Sequence, residues 1–162
     1  MKVSVTRRSA RTARDEFETR GYAVARSLFP DAEVAALQAH VDWIHETGAN
    51  GHYEHVSPHD AGNDPLLAYP RIMNPHRFSD LARTSMTHPG PAAILRELFG
   101  EEPLGVQSMV YFKPPGSRGQ AMHQDQFYLQ VRPGTCIAAW TALDRCDRAD
   151  GGPCGSWVGA AH

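Results

Sequence analysis

The amino-acid sequence predicts an α+β fold, with helices in the first part of the chain and strands in the last part. Apolar residues recur at helical spacing in the segments around residues 34–44 and 94–98. From residue 101 to residue 162, short apolar and aromatic runs alternate with Pro/Gly turns, which is typical of strands. With 162 residues, the chain is expected to form a single domain. Residues 1–9 are expected to be a loose leader, and residues 10–100 to be mainly helical.

Four helices are predicted from local signals. The first covers residues 10–20 and ends at Gly21, because glycine readily adopts the left-handed conformation that follows a helix. The second begins with Asp31 as its cap, and its apolar side chains form one stripe that faces the core. That stripe consists of Val34, Leu37, Val41 and Ile44. Two further helices are expected over residues 78–86 and 91–99.

Residues 47–70 are predicted to form a long loop, because the segment is rich in Gly, Asn, His, Asp and Pro and shows little periodicity. Long loops on compact domains are often lids or substrate contacts. Three histidines of this loop could hold a metal ion, yet solvated side chains are expected without a helix or a cysteine partner. They are His52, His55 and His59.

Four strands are predicted outside the helices and the loop. Residues 22–25 alternate well enough to form the first of them. The other three are residues 106–112, 126–131 and 136–143, which are separated by turns that contain Pro and Gly. These three strands make residues 101–162 the β-rich part of the chain.

The composition is that of an ordinary globular protein, with 41% hydrophobic and 21% charged residues. A formal net charge of −2 offers no basic surface for nucleic acid, so that partner is not expected. No apolar run approaches the length of a membrane span, and the N-terminus lacks the apolar core of a secretory signal. Three cysteines without Cys-x-x-Cys spacing favour reduced thiols in a cytoplasmic protein. They are Cys136, Cys146 and Cys154.

The triplet His123-Gln124-Asp125 is the strongest chemical signal in the sequence. On an extended strand, residues two apart share a face, so an imidazole and a carboxylate could bind one cation while Gln124 points away. With a further histidine, such a pair forms the 2-His-1-carboxylate arrangement that holds non-haem iron(II). A short His-x-Asp sequence also occurs by chance, and a surface histidine near an acid is the alternative.

The surroundings of the triplet favour the metal site. Residues 107–144 contain Lys-Pro-Pro, a Gly/Ser loop, His-Gln-Asp with an aromatic pair, Arg-Pro-Gly and an apolar run with Ala-Trp. In these motifs the chain resembles the phytanoyl-CoA dioxygenase family of iron(II)/2-oxoglutarate oxygenases, from roughly Phe17 to Gly152. The resemblance implies N-terminal helices packed on a partial double-stranded β-helix, or jelly-roll barrel. It also implies a dioxygenase that hydroxylates a small organic molecule, with iron(II) and 2-oxoglutarate as cofactors and with His123 and Asp125 as metal ligands.

The resemblance further assigns residues to a pocket. It implies that the cofactor is contacted by Met109, Lys113, Gln124 and Trp140. It implies that the substrate is contacted by Gln107, Arg71 and Tyr128. Lys113 offers a compact positive charge to a dicarboxylate, although a snorkelling lysine at a strand end is the alternative. Trp140 and Tyr128 could equally serve in packing.

The family pattern also contains a third iron ligand, a histidine well downstream, followed by an arginine that binds the distal carboxylate of 2-oxoglutarate. This chain ends at His162, and no arginine follows it. The family's histidine near that position is not a ligand, so His162 is not expected to be one. We therefore expect a C-terminally truncated oxygenase domain that has little or no turnover as the 162-residue chain.

Two other functions are compatible with these residues. One is a non-catalytic jelly-roll binding module, in which His123 and Asp125 are structural or surface residues. The other is a cupin-type metal-dependent hydrolase or isomerase. Cupins usually bring several histidines in paired motifs, and no second motif of that kind occurs in this sequence.

Overall fold

The computed structural model describes residues 7–57, 59–62, 64–114 and 123–145. In chain order, its helices are α1 (Arg7–Arg20), α2 (Asp31–Thr47), α3 (Pro65–Ala68), α4 (Asp80–Met86), α5 (Pro89–Phe99) and α6 (Asp125–Leu129). Short 3-10 helices span Gly48–Gly51 and Pro75–Arg77, and the strands β1 (Ile72–Met73) and β2 (Met109–Val110) pair with each other. Helices with one small sheet are compatible with the predicted α+β class. None of the helices in the described part of the chain is long and apolar enough to span a bilayer.

The described residues fall into two compact units. The first unit takes its residues from the ranges 1–30, 88–104 and 119–162, and the second unit from 31–87 and 105–118. Each unit therefore joins segments that are distant in the sequence, and each contains its own set of packed side chains.

In the first unit, α1 packs against α5. The buried side chains of Ala13 and Ile94 lie on these two helices, and Arg14 Nη1 donates to the Glu97 carbonyl oxygen at 3.4 Å. The α1 helix ends where Gly21 adopts a left-handed φ of 77° and donates its N–H to a carbonyl oxygen of the last turn at 2.8 Å. The predicted end of this helix at Gly21 is confirmed.

The buried imidazole of His88 caps the start of α5. Its Nδ1 accepts a hydrogen bond from the Gly90 N–H at 3.1 Å, and its ring lies against Phe29 with the ring centroids 4.4 Å apart. A Cβ at position 90 would lie 3.1 Å from that Nδ1, so glycine makes room for the cap. Because of this cap, α5 begins at Pro89, before the predicted start at residue 91.

The core of the second unit forms around Ile44 and Ile72, which are each 1% exposed. Two more buried residues, Ala49 and Tyr53, complete the core. Partly buried apolar side chains pack against it, namely Val41, Phe78, Val110 and Phe112. Leu37 of α2 is buried as well, so the predicted apolar stripe of this helix faces the interior.

The antiparallel β1–β2 sheet has two different faces. Ile72 pairs with Val110 and Met73 with Met109, and a further backbone hydrogen bond of 2.8 Å continues the ladder by one residue. Ile72 and Val110 belong to the core cluster, whereas Met73 is 47% exposed. Successive side chains of each strand therefore alternate between the core and an outer face.

The observed strands are shorter than the predicted ones. Within residues 106–112, only Met109–Val110 forms ladder pairs, and residues 22–25 and 136–143 are not strands. A strand needs a neighbour for its backbone N–H and C=O groups, and β1–β2 is the ladder that the described residues provide. The predicted strand over residues 126–131 is wrong, because most of this segment belongs to α6.

The α6 turn has local causes. Gln124 is extended, with φ −117° and ψ 125°, and Asp125 occupies the first helical position, where acidic residues are favoured. The turn ends at Gln130, which adopts a left-handed conformation with φ 50° and ψ 38°. The aromatic pair Phe127 and Tyr128, which favoured a strand in the sequence, lies exposed on this turn.

Candidate metal site and pocket residues

The imidazole of His123 and the carboxylate of Asp125 lie side by side in the first unit. Their Nε2 and Oδ1 atoms are 3.3 Å apart, and the two side chains are 25% and 39% exposed. The sequence predicts this shared face on a strand, whereas Asp125 is the first residue of α6. The two side chains still meet because the extended Gln124 between them turns its neighbours to one side, as a strand residue does.

The ring of Tyr128 packs edge-on against His123. Their ring centroids are 6.0 Å apart, with an interplanar angle of 68°. Tyr128 follows Asp125 by three positions on α6, so both side chains lie on the same side of the turn. Since Tyr128 is largely exposed, its hydroxyl is available to a ligand while its ring holds the imidazole.

The thiol of Cys136 is held in its neutral form. Its partial burial raises the pKa of the thiol, and the negative charge of Asp125 raises this pKa further. Metals bind the thiolate and not the thiol.

Gln126 is a partly buried polar residue of α6 that the sequence does not single out. Its Nε2 donates to the Val131 carbonyl oxygen at 2.9 Å, which joins the helix to the residue after its C-cap. Its Oε1 is buried and lacks a hydrogen-bond partner among the described residues. A signal for such a role exists only in three dimensions, because the bond depends on the left-handed turn at Gln130.

Four predicted pocket residues belong to the second unit. Arg71 immediately precedes β1, and its guanidinium carbon lies 5.6 Å from the centroid of the Tyr111 ring. Tyr111 follows Val110, which faces the core, so the guanidinium and the ring lie on the outer face of the sheet. Met109, the outward residue of β2, lies on this outer face as well, and Gln107 and Lys113 belong to the same unit beyond the ends of the ladder.

The structure describes the predicted site residues as two groups, each within its own unit. The first unit contains His123, Gln124, Asp125, Tyr128 and Trp140. The second unit contains Arg71, Gln107, Met109 and Lys113. The assignment of all nine residues to one pocket stays a prediction.

The loop histidines have separate surroundings. His52 stacks on Phe78 with ring centroids 4.7 Å apart, and His55 lies 4.4 Å from the His45 ring. His59 is almost fully exposed and contacts Asp60 at 3.2 Å. Across the described ranges, no group of three or more His, Cys, Asp and Glu side chains has an arrangement suited to a metal ion.

Tyr53 gives the predicted loop a buried anchor. Its hydroxyl donates to the Pro70 carbonyl oxygen at 3.0 Å, and its ring lies near those of His45 and Phe112. Burial raises the pKa of Tyr53 to about 12. An aromatic residue in a segment with few apolar residues is the sequence signal that could have indicated this role.

Comparison with known proteins places these residues in a family. The model of a family described as phytanoyl-CoA dioxygenase (PhyH) matches residues 17–154, which is more than four fifths of the chain. The chain belongs to the phytanoyl-CoA dioxygenase family. This confirms the resemblance noted from the motifs of residues 107–144.

A curated relative in the phytanoyl-CoA dioxygenase family is similar to part of the chain. Phytanoyl-CoA dioxygenase 1 from Oryza sativa subsp. japonica is 33% identical over 61 residues. This alignment covers 37% of the present chain and 22% of the rice protein, so the chain spans only part of that relative. No solved structure matches the chain.

Membership in the phytanoyl-CoA dioxygenase family raises the question whether His123 and Asp125 fit a divalent metal ion. An imidazole nitrogen and a carboxylate oxygen are ligands that first-row metals accept. Two such ligands at about 2.1 Å from one ion, at right angles, lie roughly 3 Å from each other. The observed 3.3 Å between Nε2 and Oδ1 is compatible with this geometry.

Proposed function

We propose that this protein is an iron(II)- and 2-oxoglutarate-dependent dioxygenase that hydroxylates a small organic molecule with dioxygen. The observation that best supports this function is the 3.3 Å approach of His123 Nε2 and Asp125 Oδ1. Both residues lie inside the segment that matches the family model. The fold that we propose is a jelly-roll barrel, to which β2 would belong, with the N-terminal helices packed on its outside.

The two ligands would hold iron(II) through different atoms. His123 would bind the ion through Nε2 as an imidazole, and Asp125 would bind it through its carboxylate. When bound, iron(II) supplies the activation of dioxygen that C–H hydroxylation requires. The edge-on ring of Tyr128 limits the rotation of the His123 imidazole and so keeps Nε2 directed at Asp125.

The proposed pocket residues divide by ligand. The cofactor 2-oxoglutarate is bound by Met109, Lys113, Gln124 and Trp140, and the substrate is contacted by Gln107, Arg71 and Tyr128. Lys113 offers a compact charge to a carboxylate, and Arg71 offers a planar guanidinium that already lies over Tyr111. Two cationic side chains in the second unit suit ligands that carry carboxylate groups.

Metal binding by the purified protein tests the proposed function. Cobalt(II) replaces iron(II) without oxidation, and its absorption spectrum reports the ligands. We predict that His123→Ala and Asp125→Ala each weaken cobalt(II) binding by at least about 10-fold, because each removes one of the two proposed ligands. Titration of the wild-type protein and both variants, followed by absorption spectroscopy, measures this effect.

His59→Ala is the matched control for this titration. The imidazole of His59 is 96% exposed and sits beside an aspartate, as that of His123 does. We expect this variant to bind cobalt(II) like the wild-type protein. An equal loss in His59→Ala would mean that binding is non-specific and would contradict a site at His123 and Asp125.

Turnover is a separate property of the 162-residue chain. Little or no turnover stays a prediction, and the formation of succinate from 2-oxoglutarate in the presence of iron(II) measures it. Robust succinate formation that requires His123 would support the dioxygenase and contradict low turnover. Ligand binding without any metal response would instead support a non-catalytic jelly-roll binding module.

A further inference from the structure

The helix α6, which begins at Asp125, is too short to be stable by itself. It spans five residues, Asp125–Leu129, and a helix of this length is unstable without other interactions. Gln124, at its N-cap, makes no side-chain capping bond, and the last turn closes through the non-glycine residue Gln130 in a left-handed conformation. Other contacts must therefore fix the direction of the Asp125 carboxylate.

The side chain of Gln126 provides such a contact. It extends from the second residue of α6 across the C-cap to Val131, where Nε2 donates to the carbonyl oxygen at 2.9 Å. The orientation of the amide group is unambiguous, because a carbonyl oxygen accepts and never donates. The bond links both ends of the turn and holds Gln130 in its unusual conformation.

The oxygen atom of the same amide group indicates why glutamine occupies this position. Gln126 Oε1 is buried and has no hydrogen-bond partner in the described part of the chain. A buried acceptor without a partner is unfavourable, and an apolar side chain of the same length would avoid it. We infer that glutamine occupies this position because its donor nitrogen is needed.

We propose that Gln126 is a positioning residue for the metal-binding pair. By binding the Val131 carbonyl oxygen, it fixes the single turn that directs the Asp125 carboxylate to His123 Nε2. It also fixes Tyr128, which lies on the same turn and whose ring contacts the His123 imidazole. This role rests on the proposed function, because it concerns the residues that bind the metal ion.

The same substitution at two glutamines of this turn tests the role. Gln126→Asn keeps the amide but shortens the side chain by one methylene, so that the amide nitrogen no longer reaches the Val131 carbonyl oxygen. Gln130→Asn makes the same change at an exposed residue, and asparagine tolerates the left-handed conformation found there. Gln126→Asn should weaken cobalt(II) binding by about 10-fold and alter its spectrum, as loss of outer-shell support does. Gln130→Asn should do neither.

A measurement without metal separates this role from the proposed function. Nuclear Overhauser effects between the ring protons of His123 and Tyr128 should be present in the wild-type protein and in Gln130→Asn, and lost in Gln126→Asn. If they are lost while the wild-type protein binds no cobalt(II), the metal site is wrong and the positioning of this turn by Gln126 stands. If they persist and cobalt(II) affinity is unchanged in Gln126→Asn, Gln126 has no positioning role.

Discussion

Tyr53 shows how one side chain organises an irregular segment. It lies in a stretch with few apolar residues, yet its ring enters the core of the second unit beside Ile44 and Ile72. Its hydroxyl reaches the Pro70 carbonyl oxygen, and His45 Nε2 donates to the neighbouring Ala68 carbonyl oxygen at 3.1 Å. Two side chains of the interior thus hold the segment that leads into β1.

We predict that Tyr53→Phe changes the response of the protein to alkaline pH. Burial holds the pKa of Tyr53 at about 12, above the value of 10.0 for an unperturbed tyrosine. Tyr53 therefore ionises first in the unfolded chain as the pH rises. Its contribution to stability is fully present below about pH 10 and is lost between about pH 10 and pH 12. Urea unfolding at about pH 8 and about pH 11 should show a larger loss of stability in the wild-type protein than in Tyr53→Phe.

At neutral pH, Tyr53→Phe should lower the free energy of unfolding by about 1 kcal/mol, because the Pro70 carbonyl oxygen loses its hydrogen-bond donor. Tyr22→Phe, in the first unit, serves as the control for general effects of removing a tyrosine hydroxyl. Identical alkaline losses in the wild-type protein and in Tyr53→Phe would show that another group governs unfolding at high pH.

At the scale of single elements, α4 depends on the cap at its first turn. The buried Ser79 accepts a hydrogen bond from the Ala82 N–H at 3.1 Å through its hydroxyl oxygen. The same oxygen lies 2.6 Å from His40 Nε2, so the cap also ties α4 to α2. One hydroxyl group thus stabilises a helix end and a contact between two helices.

We predict that Ser79→Ala destabilises the protein by on the order of 1–2 kcal/mol, because the helix loses its cap and His40 loses its partner. Thr84→Ala, on the exposed side of α4, should change stability little, since alanine is a good helix former. Chemical denaturation of both variants measures the two free energies of unfolding. Equal effects of the two substitutions would mean that the Ser79 cap contributes nothing specific.

The elements that sequence predicted correctly are those with local signals. Gly21 ends α1, and the apolar stripe of α2 faces the core. Both features depend only on local properties of the sequence, namely the backbone freedom of glycine and the spacing of apolar residues. The start of α5 could not be predicted, since the imidazole of His88 is an unusual cap. The α6 turn was missed because its aromatic pair suits a strand wherever a partner strand is available.

At the scale of the whole molecule, the second unit is stabilised by a small core, and residues adjacent in the sequence contribute unequally to its stability. Ile72 is almost fully buried, while Met73 is about half exposed on the other face of β1. The sheet supplies only a short ladder, so packing on the core face carries most of its stability.

We predict that Ile72→Ala lowers the free energy of unfolding by about 2–5 kcal/mol, because it leaves a cavity in the core. Met73→Ala, the adjacent control, should cost less than about 1 kcal/mol. Thermal or urea unfolding of the two variants distinguishes them. A similar loss in both would contradict the alternation of core and outer faces along β1.

The candidate site could be predicted only where its residues are close in sequence. His123 and Asp125 meet because a single extended residue separates them, and this holds for a helix start as it does for a strand. Contacts such as that of Arg71 with Tyr111 depend on how two distant segments pair. No local pattern encodes that pairing. The sequence therefore indicated Arg71 as a pocket residue but not its contact with Tyr111.

The pairing of β1 with β2 makes the chain intolerant of changes in its length near this ladder. Deleting one residue between Gly105 and Met109 would exchange the inner and outer side chains of β2 and of the residues next to it. Lys113 would then take the place of Phe112, which packs against the core, and its ammonium group would enter an apolar interior. An extra residue at positions 101 and 102, which are exposed and lie before the ladder, should be tolerated far better than one within the ladder itself.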